Sequence, residues 1–401
     1  RGAFLFFMGS KMQHLMTTYN RLPLAFARGE GVWLEDSEGN KYLDAISGIA
    51  VCGLGHCHPE ISKAICEQSS TLMHTSNLYE IPLQTRLADR LAKLTGMDKV
   101  FFANSGAEAN EAAIKIARLY GHKKGIDTPS ILVCEGSFHG RTMATLSATG
   151  NRKVRAGFEP LLRGFSRIPF NDLDAVRHAA TNDQNVVAIL VEPIQGEGGI
   201  KIPDQGYLAA LREICDDNGW LLMLDEIQTG LCRSGKWFAH QHAGIVPDVM
   251  TLAKALGNGM PVGACVVNKA ASEVFGPGNH GSTFGGNPLA SATALTVLDI
   301  LERENFANQA AQSGALLKQL LADALADKHG VKEVRGVGLL LAIELNKPCG
   351  ELVMQAADKG LLINVTADTV IRLLPPLVAS ESEIREIATR LIPLVEEFLN
   401  K

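Results

Sequence analysis

At 401 residues the chain is long enough for two or three domains and a substantial buried core. Hydrophobic residues make up 46% of it and charged residues 20%, a globular balance that excludes a largely disordered chain. The formal net charge of −5 gives no electrostatic basis for binding nucleic acid or a membrane surface, so the expected partners are small molecules.

Residues 1–11 carry a six-residue apolar patch without a small-residue cleavage pattern. They read as a non-native leader, with the natural start near Met12 or Met16. No apolar run approaches the roughly 18–20 residues that a membrane helix needs. The eight cysteines are scattered, several inside apolar stretches, which fits reduced thiols and a cytoplasmic location.

Residues 17–50 alternate short extended segments with turns. GVWLEDSEGNKYLDA predicts a β-hairpin turning at Glu38-Gly39-Asn40. In Gly55-His56-Cys57-His58-Pro59 a Cys flanked by two His invites a zinc reading. No second ligand pair follows at metal-site spacing, so no metal is expected, and the segment reads as a turn before a helix over 59–73.

From about residue 85 the pattern alternates helix and strand, the signature of an α/β fold with a parallel sheet covered by helices. Helix 85–95 precedes strand 99–103, helix 107–121 and strand 130–134. A break at Phe138-His139-Gly140-Arg141 follows. Strand 186–191 leads into Glu192-Pro193-Ile194-Gln195-Gly196-Glu197-Gly198-Gly199, and helix 206–218 precedes a strand ending at Asp225. The apolar run Val249–Ala253 ends at Lys254. The loop after it is too short for a crossover helix, so Val262–Val267 is expected to run antiparallel. Helices 289–303 and 307–328 then lead to a smaller unit: strand 337–345, helix 350–359, strands near 361–365 and 370–374, and helix 380–399. The expected domains are a large one over 61–290 and a small one over 291–401, with residues 12–60 packing on the small one.

In open α/β sheets the ligand crevice lies beyond the carboxyl ends of the strands. Asp225 and Lys254, each closing an apolar strand, are therefore expected to face one cleft. A buried lysine has its amine pushed toward the neutral, nucleophilic form. A buried carboxylate requires a cationic partner, and a protonated pyridine nitrogen is one: lysine plus acid is the pairing that pyridoxal phosphate uses. At Asn104-Ser105-Gly106-Ala107-Glu108 a strand turns into a helix whose free N–H groups and dipole form an anion site, although a simple N-cap explains the same residues. Gly230–Lys236 has the glycine spacing of a P-loop. Trp237 stands where a Ser or Thr should bind magnesium and no helix-forming run follows, so a nucleoside triphosphate is excluded.

The segments SGAEANEAAIKIAR, SFHGRT, VEPIQGEGG, LDEIQTG, TLAKAL, GSTFGGNP and IRLLPP occur here in the order found in class III (subgroup II) pyridoxal-phosphate aminotransferases of fold type I. The resemblance runs from about Pro23 to the C-terminus. It implies a large, mostly parallel seven-stranded sheet domain, a smaller α+β domain from both termini, and pyridoxal 5′-phosphate as cofactor. It implies that Lys254 attaches the cofactor's aldehyde carbon and shuttles the proton, and that Asp225 holds the ring nitrogen protonated. Gln228 would approach the phenolic oxygen and Phe138 would stack on the ring. Ser105, Gly106 and Ala107 would hold the phosphate, with Thr283 reaching over from a partner subunit and Ser282 near the substrate. The family builds its site at a homodimer interface.

The resemblance is nearest to the branch acting on N-acetylornithine, implying transfer of its δ-amino group to 2-oxoglutarate with release of glutamate. Arg141 would then take the carboxylate remote from the reacting amine, and Arg372 the α-carboxylate of glutamate, with Glu197 covering Arg372 when the ω-amine donor is bound. Ile49 stands where the ornithine-specific branch carries a tyrosine, which favours an acylated donor. Succinylornithine, ornithine and 4-aminobutyrate are the alternative donors, and a phosphate-ligand binding protein on the same scaffold is the alternative class.

Overall fold

In the computed structural model, which describes residues 14–401, seven strands form the central sheet. Their order is Lys99–Ala103, Gly263–Val267, Val249–Leu252, Leu221–Asp225, Val186–Val191, Ser130–Cys134 and Phe165–Ile168. Gly263–Val267 runs antiparallel to both its neighbours, as its short loop requires, and every other pair is parallel. The leader reading for residues 1–11 lies outside the described residues.

The central strands are apolar on both faces, and their alternation sends successive residues to opposite sides. Leu221 and Met223 join Ala113 and Ile116 of helix Gly106–Lys123 on one face. Leu222 and Leu224 join Leu208 and Leu211 of helix Tyr207–Asn218 on the other. Phe165–Ile168 has no counterpart in the sequence reading. At the sheet edge its four residues are mostly half-buried, so FSRI lacks the apolar run that marks a central strand. Helix Leu173–Asn182 was also unread, although Asp172 caps it by accepting from the Ala175 N–H.

Beyond the sheet, helix Pro288–Arg303 packs on helices Pro59–Thr71 and Pro82–Thr95. Two further sheets of four strands follow. Val331–Val337, Leu340–Leu345, Val370–Leu373 and Asn364–Thr366 form one, entirely antiparallel. The strand expected over 337–345 is thus a hairpin, turning at Gly338 with φ 57°. In the other sheet the hairpin Trp33–Asp36/Lys41–Asp44 pairs in parallel with Leu361–Leu362. The strand expected near 361–365 is therefore split between two sheets. Among the described residues no helix is long and apolar enough to cross a membrane.

The P-loop look-alike holds these units together. Buried Arg233 donates to the carbonyls of Leu339 (3.0 Å) and Pro375 (2.5 Å), and burial lowers its guanidinium pKa to about 10. The Gly338 turn lies against Ser234 and Gly235, and helix Phe306–Leu325 approaches the same turn at Gly314, where a Cβ would overlap the Gly338 carbonyl. In an open helix Gly→Ala stabilises by about 1 kcal/mol; here the overlap reverses the sign. Gly314→Ala is expected to destabilise by about 1–3 kcal/mol, seen as a lower calorimetric Tm. An unchanged or raised Tm would mean that the contact relaxes freely.

Candidate functional site

Lys254 follows strand Val249–Leu252, and Asp225 ends the neighbouring strand Leu221–Asp225, whose register sets Asp225 opposite Thr251. Both side chains line one cavity of about 410 Å³, as do Ser105, Gly106, Ala107, Phe138, Arg141, Glu197 and Gln228. Nine of the residues singled out in the sequence thus share one space at the carboxyl ends of the strands.

Asp225 is 4% exposed and its carboxylate is fully engaged on one side. Oδ2 accepts from Asn110 Nδ2 and His139 Nδ1, each at 2.8 Å, and Oδ1 accepts from the Ile227 N–H at 3.1 Å. Asn110 is fixed in turn: it donates to the His139 carbonyl and accepts from Thr251 Oγ1. Neither Asn110 nor His139 was assigned a role from sequence. A signal existed for Asn110, a polar residue on the alanine-lined buried face of helix Gly106–Lys123. Glu226, adjacent in sequence, points elsewhere and accepts from the backbone N–H groups of Ala239 and His240 and from the Thr229 hydroxyl.

Lys254 is held at φ 42°, a left-handed conformation rarely adopted by residues other than glycine. Such strain persists where the surroundings over-determine it, commonly at functional sites. Burial is the main force lowering its pKa; Glu197 opposes that shift and Arg372 adds to it. The neutral amine is correspondingly favoured.

Ser105 caps helix Gly106–Lys123, accepting from the Glu108 N–H at 3.2 Å, so the N-cap reading is correct as local structure. The N–H groups of Gly106 and Ala107 have no intrahelical partner and, with the positive end of the helix dipole, can receive an anion. A Cβ at Gly106 would lie 2.7 Å from Ile227 Cδ1, which keeps this cradle open only to glycine. Gln228 Oε1 and His139 Nε2 are buried without a hydrogen-bond partner, and a Cβ at Gly196 would overlap Gln228 Oε1. An anion cradle, a lysine shifted toward its neutral form, a fixed carboxylate and unpartnered polar atoms beside them fit the phosphate, aldehyde, ring nitrogen and phenolic oxygen of pyridoxal phosphate.

Arg372 is the largest fully buried side chain among the described residues. Its Nη1 donates to Glu197 Oε1 at 2.6 Å, and its Nε and Nη2 donate to Asn364 Oδ1. Glu197 is one-third exposed, so this pair joins a fully buried cation to a carboxylate that reaches the surface. Arg141 is exposed, lies 5.7 Å over the Phe138 ring and makes no ion pair among the described residues. Arg372 reaches the cavity only through Glu197 and does not itself line it, and three further expected site residues stay outside the cavity of the single chain. Ser282 accepts from the Gly285 N–H and from Asn104 Nδ2, as a turn-forming residue does. Thr283 is exposed, and Ile49 is 39% exposed at φ 65°; Val51, two residues on, lines the cavity instead.

Residues 16–395 match the family model described as aminotransferase class-III. The acetylornithine aminotransferase of Nitrosomonas europaea is 58% identical over 388 residues, covering 97% of this chain and 99% of its own. Among solved structures, the ornithine aminotransferase of Toxoplasma gondii superposes with a TM-score of 0.93 at 37% identity, covering 96% of this chain and 94% of its own. The acetylornithine aminotransferase of Elizabethkingia anophelis gives 0.88 at 38%, covering 96% and 97%. The chain belongs to the class-III aminotransferases, and its cofactor is pyridoxal 5′-phosphate.

Glu192, a further cavity residue, received no role from sequence. Its oxygens accept from the N–H groups of Phe138 (2.9 Å) and Gly196 (3.1 Å), and burial raises its pKa from 4.5 to about 7. The native state therefore holds this proton at pH values where the unfolded chain has lost it. Its stabilising effect is complete below pH 4.5 and is lost as pH rises through 7, over a total of a few kcal/mol. In the apoenzyme, Glu192→Gln should flatten the fall in Tm over that window relative to the parent. Parallel Tm profiles for the two proteins would contradict it.

Proposed function

We propose that the enzyme transfers the δ-amino group of N2-acetyl-L-ornithine to 2-oxoglutarate, giving N-acetylglutamate 5-semialdehyde and L-glutamate, a step of arginine biosynthesis. The observation that carries this reading is the pair of arginines around one amine: Arg372 masked by a movable carboxylate, and Arg141 free. Acetylornithine presents one carboxylate, remote from the amine that reacts, whereas glutamate presents two. A pocket with one permanent and one maskable arginine matches both, and bidentate carboxylate binding is what guanidinium groups do best in partly buried sites.

Pyridoxal phosphate, when bound, supplies an aldehyde carbon that takes up the amino group and a ring that withdraws electrons from the carbon losing its proton. Asp225, held rigid by Asn110 and His139, keeps negative charge at the ring nitrogen. Burial leaves Lys254 Nζ able to take the proton from the carbon bearing the donor's amine and to return it in the second half of the cycle. Arg141 orients the donor through its carboxylate. Glu197 stays on Arg372 while acetylornithine is bound and leaves it when glutamate's α-carboxylate arrives.

Ile49, which does not line the cavity of the single chain, has no hydroxyl to offer the amino and carboxylate groups of free ornithine, and this supports the acylated donor over ornithine. The domain boundaries near residues 60 and 290 belong to the same proposal. So does a cytoplasmic location, consistent with cysteines that are all free among the described residues. We also propose a homodimer in which Thr283 of one subunit completes the phosphate site of the other. Leu78, Tyr79 and Phe284, 88%, 70% and 58% exposed, supply an apolar surface beside that threonine.

The purified holoenzyme should be yellow, and its visible band should bleach on addition of acetylornithine without an oxo acid, faster than with succinylornithine, ornithine or 4-aminobutyrate. Faster bleaching by another donor would reassign the substrate. Glu197→Ala should slow the acetylornithine half-reaction more than the glutamate one in single-turnover measurements; equal losses would remove the masking role. Size-exclusion chromatography with light scattering should give twice the chain mass, and a monomer with full activity would dispose of the shared site.

A further inference from the structure

We propose that the chain carries a second ligand site, separate from the cofactor cavity, that binds a phosphate group. It is a groove of about 570 Å³ where the Ser234–Lys236 loop meets the start of helix Phe306–Leu325 and the Gly336–Gly338 turn. The inference does not depend on which amino donor the enzyme uses.

Lys236, Lys318 and His242 line the groove, and none of the side chains lining it is acidic. Among the described residues Lys236 has no partner, and Lys318 makes a single long contact, 3.5 Å to the Gly336 carbonyl. His242 Nε2 donates to the Ser234 carbonyl at 3.0 Å, which fixes its ring beside the loop. The nearest acid along the chain, Glu304, is engaged by Arg303. Exposed cations are individually weak in salt, so only their convergence on one ligand gives useful affinity.

Two further observations point to an oxyanion. Helix Phe306–Leu325 is 20 residues long, and Asn305 ahead of it stands at φ 53° without a side-chain capping bond. The Asn308 N–H is taken by the Asn305 carbonyl, but among the described residues the Phe306 and Ala307 N–H groups have no partner, and with the positive dipole end they stand where Ala307 lines the groove. Independently, Ser234 is 1% exposed and lines the groove, and among the described residues its buried hydroxyl has no hydrogen-bond partner. Buried hydroxyls in native structures are paired with protein, water or ligand. A phosphate oxygen would satisfy Ser234 while its other oxygens meet the helix start and the lysines.

This accounts for the look-alike motif in Gly230–Lys236. Its arginine turns inward to Leu339 and Pro375, and Trp237 replaces the magnesium ligand, but Lys236 is left at the surface beside a helix start. The volume exceeds what one inorganic phosphate fills, so the phosphate monoester of a small metabolite fits as well as the free ion.

The test uses holoenzyme, so that the cofactor occupies the cofactor phosphate cradle. At constant ionic strength, inorganic phosphate and glycerol phosphate are titrated separately while tryptophan fluorescence, to which Trp237 beside the loop contributes, and 31P line widths are followed. A saturable response in both signals is expected. Lys236→Ala/Lys318→Met should weaken binding about tenfold or more and Ser234→Ala several-fold, with the transamination rate in phosphate-free buffer unchanged in the lysine variant. Tighter binding of the ester would assign a metabolite, and equal binding the free ion. No saturation through the millimolar range, or equal affinity in parent and lysine variant, overturns the site.

Discussion

A carboxylate at the end of a strand buried on both faces is tolerated only where donors meet it. Asp225 receives three, from Asn110, His139 and the Ile227 N–H. Each donor commits a different element: Asn110 fixes helix Gly106–Lys123 against the sheet, and His139 fixes the loop that carries Phe138 and Arg141. Thr251, bonded to Asn110, ties in the strand that delivers Lys254. The network therefore sets Asp225, the loop carrying Phe138 and Arg141, the helix start at Ser105–Ala107 and Lys254 in one frame. Removing any member would leave buried polar groups unpaired, at about 1–3 kcal/mol each.

The remaining space for the cofactor is made by absent side chains. Gly106 and Gly196 have neighbours where a Cβ would stand, Ile227 and Gln228, both of which line the cavity. Glu192 accepts from the Phe138 and Gly196 backbones and so ties the two loops to each other. Burial acts in opposite senses on the two charge types in this space: it raises the carboxyl of Glu192 and lowers the amine of Lys254. Both shifts favour neutral forms, which limits the net charge enclosed with an anionic cofactor.

Arg372 shows how a fully buried cation can serve function. Asn364 holds two of its nitrogens permanently, and Glu197 holds the third from a position one-third exposed. An unpaired buried guanidinium would be costly. Under the proposed reaction the Glu197 carboxylate would leave only when a substrate carboxylate arrives, which is the physical basis proposed for accepting substrates that differ by one carboxylate. Arg233, equally buried, has only carbonyls and a hydroxyl as partners and no ion pair, and its role is to join the sheet to the C-terminal strands.

Much of this was legible in the sequence, because apolar runs, caps and glycines act locally. The bounds of strands Ser130–Cys134 and Val186–Val191, the antiparallel Gly263–Val267 and the pairing of an acid with a lysine follow from pattern and loop length alone. The short edge strand Phe165–Ile168 was not legible, since an edge needs no continuous apolar run. Nor was the hairpin around Gly338, whose glycine is demanded by the Arg233–Gly235 loop lying more than one hundred positions away. Residue type marked Asp225, Lys254 and Arg372 as chemical groups in the chain. Only the tertiary structure could show that Asn110 and His139 support Asp225 and that Glu192 ties the Phe138 and Gly196 loops together, because a buried hydrogen bond depends on distance in space and leaves no period in the sequence. For the same reason, only the fold placed Ile49, Ser282 and Thr283 outside the cavity of the single chain.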